Sequence, residues 1–442
     1  MDPLDVAIVG AGAAGLAAAG ELRRRGLRVA VFEARDRPGG RILTYRDDRV
    51  PLPVEMGAEF LHGDTPETNR ILREANLFAV DVAGEHWLAE KGRLRPQPDL
   101  WDGIDRMLDR IDPEAPDIPF SQFLARQPRG RAREDARRFA QGFDAADLDQ
   151  LSTASMAPGG GEEASEGVRK AGRILAGYDR IIEWMARHLE GDLHLGVPVT
   201  EIEWSRGQVQ LGLQRPWDSE LPPRVAARAA IVTVPVAVLQ APPDEPGGLR
   251  FHPEIPRIRE ALDRLAMGDV LRLSVWFKEL PWTKPLPDAP KGASFDGLGF
   301  LHTADPTFNV WWTAYPARVP LATAWSGGPP ATGLARRGRS AIENHAIRSL
   351  ATQLGLPRRR VESAVLDLWM HPWHEDPYSR GAYTYARVGG ADAGRRLARP
   401  VDGTLFFAGE ACGEGGEIGT VEGALTSGIQ AAKKAAKGLS RS

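Results

Sequence analysis

The chain has 442 residues, which at roughly 150 residues per domain suggests two or three domains. About 42% of the residues are apolar, enough to bury substantial cores. Its 56 basic and 59 acidic residues leave a formal net charge of −3, so no global bias points to nucleic acid or an anionic lipid surface. The single cysteine, Cys412, rules out an internal disulfide and a cysteine-cluster metal site, and no metal is expected. Met1-Asp2-Pro3-Leu4 runs straight into a strand without a basic n-region or cleavage site, so a cytoplasmic setting is the default expectation. The longest apolar stretch, 226–241, contains Arg228 and Pro235 and falls short of the ~20 residues a membrane span needs.

The first elements predict a βαβ unit: a buried strand over Val6–Val9, an alanine-rich helix over Ala13–Arg25 ending at Gly26, and a second strand over Val29–Phe32. Residues from about 66 to 185 read as mostly helical, with a Gly/Glu-rich loop over Pro158–Gly167. Strands are expected over Pro198–Trp204, Ala229–Val234, Val270–Phe277, Phe308–Tyr315 and Val361–Met370. Pro/Gly clusters at Ala241–Gly248, Leu286–Gly299 and Ser326–Gly333 mark loops. Ile342, Ala346, Leu350 and Leu354 share one helical face, stopped by Gly355 and Pro357. The chain closes with a strand over Thr404–Ala408, a glycine-rich loop and a helix over about Val421–Lys437.

Gly10-Ala-Gly12-Ala-Ala14-Gly15 lies directly between the first strand and helix. In such a G-x-G-x-x-G run, Gly10 permits the tight turn and Gly12 lets the backbone approach a pyrophosphate. Gly15 allows close strand–helix packing. The exposed N–H groups and the positive helix end then face the diphosphate. Glu33 ends the second strand at the expected spacing of ~20 residues, where its carboxylate can accept both ribose hydroxyls and disfavours a 2′-phosphate.

The following residues, Glu33-Ala34-Arg35-Asp-Arg-Pro-Gly39-Gly40-Arg41, resemble the extension found in flavin-containing amine oxidases, polyamine oxidases and phytoene desaturases. That resemblance implies FAD rather than NAD, with Arg35 and Arg41 near the ribose and diphosphate. Four further blocks are similar to the flavin amine oxidase family. Gly57-Ala58-Glu59-Phe-Leu-His62-Gly63 resembles the stretch that passes the flavin. Val197-Pro-Val199 resembles the strand whose backbone meets the adenine. Leu405-Phe-Phe-Ala-Gly409-Glu410 resembles the terminal flavin motif, with Glu410 on the ribityl chain. Gly419-Thr420-Val421 opens the last helix, whose positive end would face the flavin N1–C2=O edge, where negative charge collects on reduction.

The segment Trp373 to Tyr383 resembles the monoamine oxidase stretch carrying the covalent flavin cysteine and one wall of an aromatic cage. Ala382 occupies the cysteine position, so no thioether can form there and the FAD is expected to be non-covalent. Tyr383 matches the cage tyrosine, its plain alternative being a core aromatic, while the partner wall falls on Thr420. Trp373 is a pocket residue by its place in this block. Where the family has a lysine near the flavin, this chain has Arg272, which stays charged and could bind an anionic substrate group through its fork. His62 reads either as a base that steers the amine or as a structural histidine.

The resemblance implies an α/β fold of the amine oxidase and p-hydroxybenzoate hydroxylase type. A Rossmann-like FAD-binding domain (1–65, 190–240, 395–442) is interleaved with an α+β substrate-binding domain (66–189, 241–394). The implied reaction is oxidation of an amine C–N bond by hydride transfer to flavin N5, with imine hydrolysis and O2 as acceptor giving H2O2. The amine would be a monoamine, a polyamine or an amino acid. Two other readings stay open: a dehydrogenase or desaturase acting on C–C bonds with a non-oxygen acceptor, and a flavin-holding module without catalysis. No feature fixes the oligomeric state, and a homodimer stays open.

Overall fold

Strand Leu4–Val9 is buried almost throughout because it has parallel neighbours on both sides: Val29–Phe32, with Val6 opposite Val29, and Arg224–Val232, with Val6 opposite Ala229. Helix Ala13–Arg24 crosses between the first two strands. In this computed structural model all residues are described except 1–3, 83, 158–169, 215–220, 284–285, 287, 291–292, 414–416 and 441–442. The loop expected over Pro158–Gly167 lies outside the described residues.

The first sheet runs, in spatial order, Leu193–His194, Val29–Phe32, Leu4–Val9, Arg224–Val232, Gln208–Leu213, Val199–Ser205 and Arg250–His252. Leu405–Phe407 joins it in parallel, Ala230 opposite Leu405. One face is covered by helices Ala13–Arg24, Asp179–Arg187 and Val421–Leu439, the other by helix Pro256–Asp263 and its neighbours. The first and last helices meet closely: a Cβ on Gly428 would lie 2.2 Å from the Ala14 carbonyl oxygen. Strand Arg250–His252 falls in a segment assigned from sequence to the substrate domain, yet it pairs with this sheet.

The second sheet runs Val365–Trp369, Val270–Phe277, Leu321–Gly327, Val310–Thr313, Leu298–Thr303, Glu85–Glu90 and Arg93–Pro96. Helix Arg339–Leu354 backs it with Ile342, Ala346, Leu350 and Leu354, the face read from sequence, and Gly355 ends the helix in the left-handed region. A separate core of Phe120, Phe123, Ala136 and Ala140 holds helices Phe120–Arg126 and Arg131–Gly142 together.

Between 66 and 185 the chain is less helical than its composition suggests. Strands Ala79–Asp81, Glu85–Glu90, Arg93–Pro96 and Ala171–Ile174 interrupt the helices, and each is stabilised by partners distant in sequence or by a short hairpin. The stretch 361–370 begins in a short helix, Arg358–Glu362, before its strand. The loop expected over Ser326–Gly333 is instead the end of strand Leu321–Gly327 and the start of helix Pro329–Ala335, where two prolines occupy the first helical turn.

Candidate active site

The cradle is built first from backbone. Gly10 has φ +100°, and a Cβ on Gly15 would lie 1.9 Å from the Gly10 carbonyl oxygen, so both positions require glycine. A Cβ on Gly12 would meet no heavy atom within 4 Å, so the turn opens onto free space. Helix Ala13–Arg24 has no side-chain cap and no acidic residue in its first turn, which leaves its N–H groups and positive dipole end available to an anion. Glu33 is buried, and its two oxygens accept from the Ala11 N–H (2.7 Å) and the Arg35 N–H (3.0 Å). Those bonds fix the carboxylate and leave it lone pairs for a diol.

Arg35 donates to Asp376 (2.7 Å) and Ser379 (2.8 Å), fastening the cradle to the 376–379 turn. Arg41 donates to Glu410 (2.8 Å) and to the Ala382 carbonyl (2.7 Å). Glu410 also accepts from the Thr384 hydroxyl at 2.8 Å. At the far end, Thr420 caps helix Val421–Leu439, its hydroxyl accepting from the Gly423 N–H at 3.0 Å. Ser427 bridges back, accepting from the Gly409 N–H at 3.0 Å and donating to the Gly409 carbonyl at 2.9 Å.

All of this faces one cavity of about 1700 Å³, well above the range of roughly 300–1,000 Å³ usual for a single drug-sized ligand. Gly10, Gly12, Ala14, Glu33, Ala34, Arg35, Gly40, Arg41, Gly57, Ala58, Glu59, Val199, Gly409, Glu410, Thr420 and Val421 line it. So do Tyr383, Arg272, His62 and Trp373. Among the expected site residues only Gly15 stands behind the wall, packed under Gly10. A glycine-floored cradle at an uncapped helix end, sharing one cavity with an aromatic chamber, fits a dinucleotide with a second ligand beside it.

The chamber has its own chemistry. Tyr383 donates its hydroxyl to the Phe143 carbonyl and lies nearly parallel to Trp325, ring centroids 6.5 Å apart. Trp312, Phe60 and Phe143 extend the aromatic lining. Arg272 is not held out toward a ligand. Its guanidinium pairs with Glu59 at 2.5 Å and donates to the Gly57 carbonyl at 3.1 Å. Glu59 also takes Arg173 (2.6 Å) and the Trp312 indole N–H (2.9 Å), and these cations hold its carboxyl below the usual range despite burial. The anion-binding role expected for Arg272 is thus already filled by Glu59.

His62 is pushed down to about 4 by burial, so it stays neutral at physiological pH, and its Nδ1 is enclosed without a hydrogen-bond partner. Trp373 is a buried strut: its indole N–H donates to the Met56 carbonyl at 2.8 Å and its ring packs against Gly57. Thr420 is a cap, with Gly419 between it and the Tyr383 ring. Several lining residues were not singled out as site residues from sequence: Phe143, Asp144, His86 and His302; nor was Arg173, which stands behind the lining as a partner of Glu59. They sit on segments whose pairing is long-range, and no local spacing announces them. Trp312 and Trp325, on strands Val310–Thr313 and Leu321–Gly327, also reach the chamber.

The chain matches the family of flavin containing amine oxidoreductases over residues 13–436. It belongs to that family. Polyamine oxidase 3 of Oryza sativa subsp. japonica is 28% identical over 97% of this chain and 88% of its own length. A putrescine oxidase solved with putrescine bound superposes with a TM-score of 0.80 at 22% identity, covering 98% of each chain. Cyclohexylamine oxidase from Brevibacterium oxydans IH-35A superposes with a TM-score of 0.79 at 21% identity, covering 99% of this chain and 100% of its own. This flavin amine oxidoreductase is therefore an FAD enzyme that acts on amine C–N bonds, and the carbon–carbon and non-catalytic readings fall away.

Proposed function

We propose that the protein oxidises an amine bearing an apolar or aromatic substituent, with O2 as terminal acceptor and hydrogen peroxide as co-product. The observation that carries this is the opening of the glycine-floored cradle directly into an aromatic chamber within one cavity. An amino acid substrate is disfavoured because Arg272 is already paired with Glu59 and so offers no free cation for a carboxylate. A second ammonium is disfavoured on the part of the wall that carries His86 and His302. There His86 and His302 share a hydrogen bond of 2.9 Å, and burial pushes both down, to about 4 and about 3, so the pair resists added positive charge.

Bound FAD supplies the two-electron acceptor for the substrate's α C–H. The chain's own residues orient and dehydrate. In this reading Tyr383 and Trp325 form one wall of the substrate position, Trp312, in ring contact with Trp325, and Phe60 continue it, and neutral His62 also lines the cavity. Gly57, Ala58 and Val421 approach the flavin ring, and Val199 approaches the adenine. Glu33 takes the ribose, with Arg35 and Arg41 near the diphosphate. Ala382 offers a methyl where a thioether would need a sulfur, so the cofactor is held non-covalently. The cradle belongs to a discontinuous unit of residues 1–65, 190–240 and 395–442, extended by the strand at 250–252. The chamber belongs to the remainder.

The test is anaerobic bleaching of the flavin by arylalkylamines, cycloalkylamines, diamines, polyamines and amino acids, followed by peroxide measurement on admitting air. Bleaching by the apolar amines with stoichiometric peroxide is expected. Selective bleaching by amino acids or polyamines overturns the substrate class, and bleaching without peroxide overturns the acceptor. Acid precipitation should release all the FAD into the supernatant, and yellow precipitate would show a covalent bond.

A further inference from the structure

Amines reach such a site as ammonium ions, since an alkylammonium titrates near ~10. An amine can yield its α-hydrogen with both bonding electrons only after nitrogen has lost its extra proton and regained its lone pair. Some group must therefore bind the cation and accept that proton. On the chamber wall Glu59 is held by two arginines, and Glu410 by Arg41 and Thr384. His62 has no cation or anion acting on it and is suppressed by burial.

Asp144 differs from these. It lines the chamber, and its Oδ2 is enclosed without a hydrogen-bond partner. The backbone that presents it is clamped from several sides. The Gly142 carbonyl accepts from the Trp325 indole N–H at 2.8 Å, and the Phe143 carbonyl accepts from the Tyr383 hydroxyl. Gly268, Gly327 and Gly328 pack so closely that Cβ atoms there would lie 2.6, 2.5 and 2.8 Å from the carbonyl oxygens of Ala145, Gly142 and Ala146. Ala145 is forced to φ +51°, a left-handed conformation that costs a non-glycine residue of order 1 kcal/mol and persists only where surroundings impose it. Two chamber aromatics and three glycines thus converge on one turn, and that turn carries one carboxylate on the chamber wall.

We propose that Asp144 binds the substrate ammonium and takes the proton from its nitrogen, resting on the amine oxidase reading above. The N–H bond breaks, an O–H bond forms on the carboxylate, and the electron pair stays on nitrogen. After the imine leaves, the acid returns its proton to water. Desolvation favours this transfer, because it replaces two buried charges by two neutral groups. Burial alone pushes Asp144 up to about 7, close to operating pH and suited to a general base. Of the ionisable groups nearby, Tyr383 is raised well above its ordinary value by burial and then by the Asp144 charge, and His62 packs edge-on against the adjacent Phe143 ring. Asp269 lies on the neighbouring strand's lead-in, bonded to Thr332.

The test compares FAD-loaded wild type with Asp144→Asn, using an amine that bleaches the wild type and the neutral alcohol of the same skeleton as a binding probe. Asn should lower the second-order rate of anaerobic flavin reduction about 10²-fold and weaken the amine while leaving the alcohol unchanged. It should also remove the ionisation near 7 from the rate–pH profile. An unchanged rate and profile, or equal weakening of amine and alcohol, overturns the proposal. A wild type that apolar amines do not bleach overturns the parent reading instead. Where Asn fails to retain FAD, Asp144→Glu decides: amine affected and alcohol spared supports the assignment, both affected alike overturns it.

Discussion

The cofactor cradle and the substrate chamber share one cavity but are specified in different ways. The cradle is made of backbone: a turn that needs φ +100° at Gly10, a helix end left uncapped, and glycines at which a methyl group would strike a carbonyl. The chamber is made of side chains brought from segments far apart, such as Arg272 with Glu59, Tyr383 with Phe143, and His86 with His302. Backbone requirements tolerate almost no substitution, whereas side-chain networks can be rebuilt for another ligand.

If that contrast holds, the largest effect of any single change should come from a cradle glycine. Gly15→Val places its side chain into the Gly10 carbonyl, 1.9 Å from the Cβ position, and should abolish FAD retention and soluble expression. Gly20→Ala, on the same helix, meets nothing within 4 Å and should stabilise the protein by about 0.5–1 kcal/mol through a less flexible unfolded chain. Equal outcomes for the two, read by flavin content and thermal midpoint, would break the contrast.

The same distinction explains what the sequence made legible. The strand–glycine–helix register and Glu33 are local, so the cradle could be placed residue by residue, and every expected cofactor residue but Gly15 lines the cavity. The strands at Glu85–Glu90, Leu298–Thr303 and Leu321–Gly327 were not seen, because they owe their existence to partners distant in sequence. Arg272 was readable as an anomaly, but its partner was not. Glu59 lies 213 residues away, and no periodicity links the two. Asp144 was invisible for a related reason: its environment comes from three other segments, carrying Gly268, Trp325 with Gly327 and Gly328, and Tyr383.

In the chamber, the largest expected effect follows from breaking the Glu59 network. Arg272→Met leaves Glu59 with one arginine in a buried setting and should cost about 3 kcal/mol, read as a lowered denaturant midpoint. Arg272→Lys should recover only part of it, because lysine lacks the fork that reaches Glu59 and the Gly57 carbonyl together. Full recovery by lysine would mean that charge alone matters there.

A pH-dependent effect belongs to Asp144. Its folded-state value of about 7 lies above the ordinary 3.8, so the folded protein binds more protons than the unfolded chain between those values. Its stabilising contribution is complete below about 4 and is lost as pH rises to about 7. Asp144→Asn lacks that loss. The thermal midpoint of the Asn protein relative to wild type should therefore rise from pH 4 to 7 and level off above. A difference that narrows with increasing pH would contradict an enclosed, uncompensated carboxylate oxygen.

Thr420 sits where the two regions meet, and so gives the smallest but most discriminating effect. As the cap of helix Val421–Leu439, it holds the Gly423 N–H through its hydroxyl, and through Gly419 it borders Tyr383. Thr420→Ala should cost about 1 kcal/mol of stability and loosen FAD, while Thr420→Ser keeps the cap and should leave both unchanged. Amine affinity should follow neither substitution, since the hydroxyl is turned to the helix end and to the Glu417 carbonyl at 2.6 Å. If instead amine affinity falls in the Ala protein with FAD retention intact, Thr420 belongs to the chamber wall. The boundary between backbone-built cradle and side-chain-built chamber then runs through the helix cap rather than beside it.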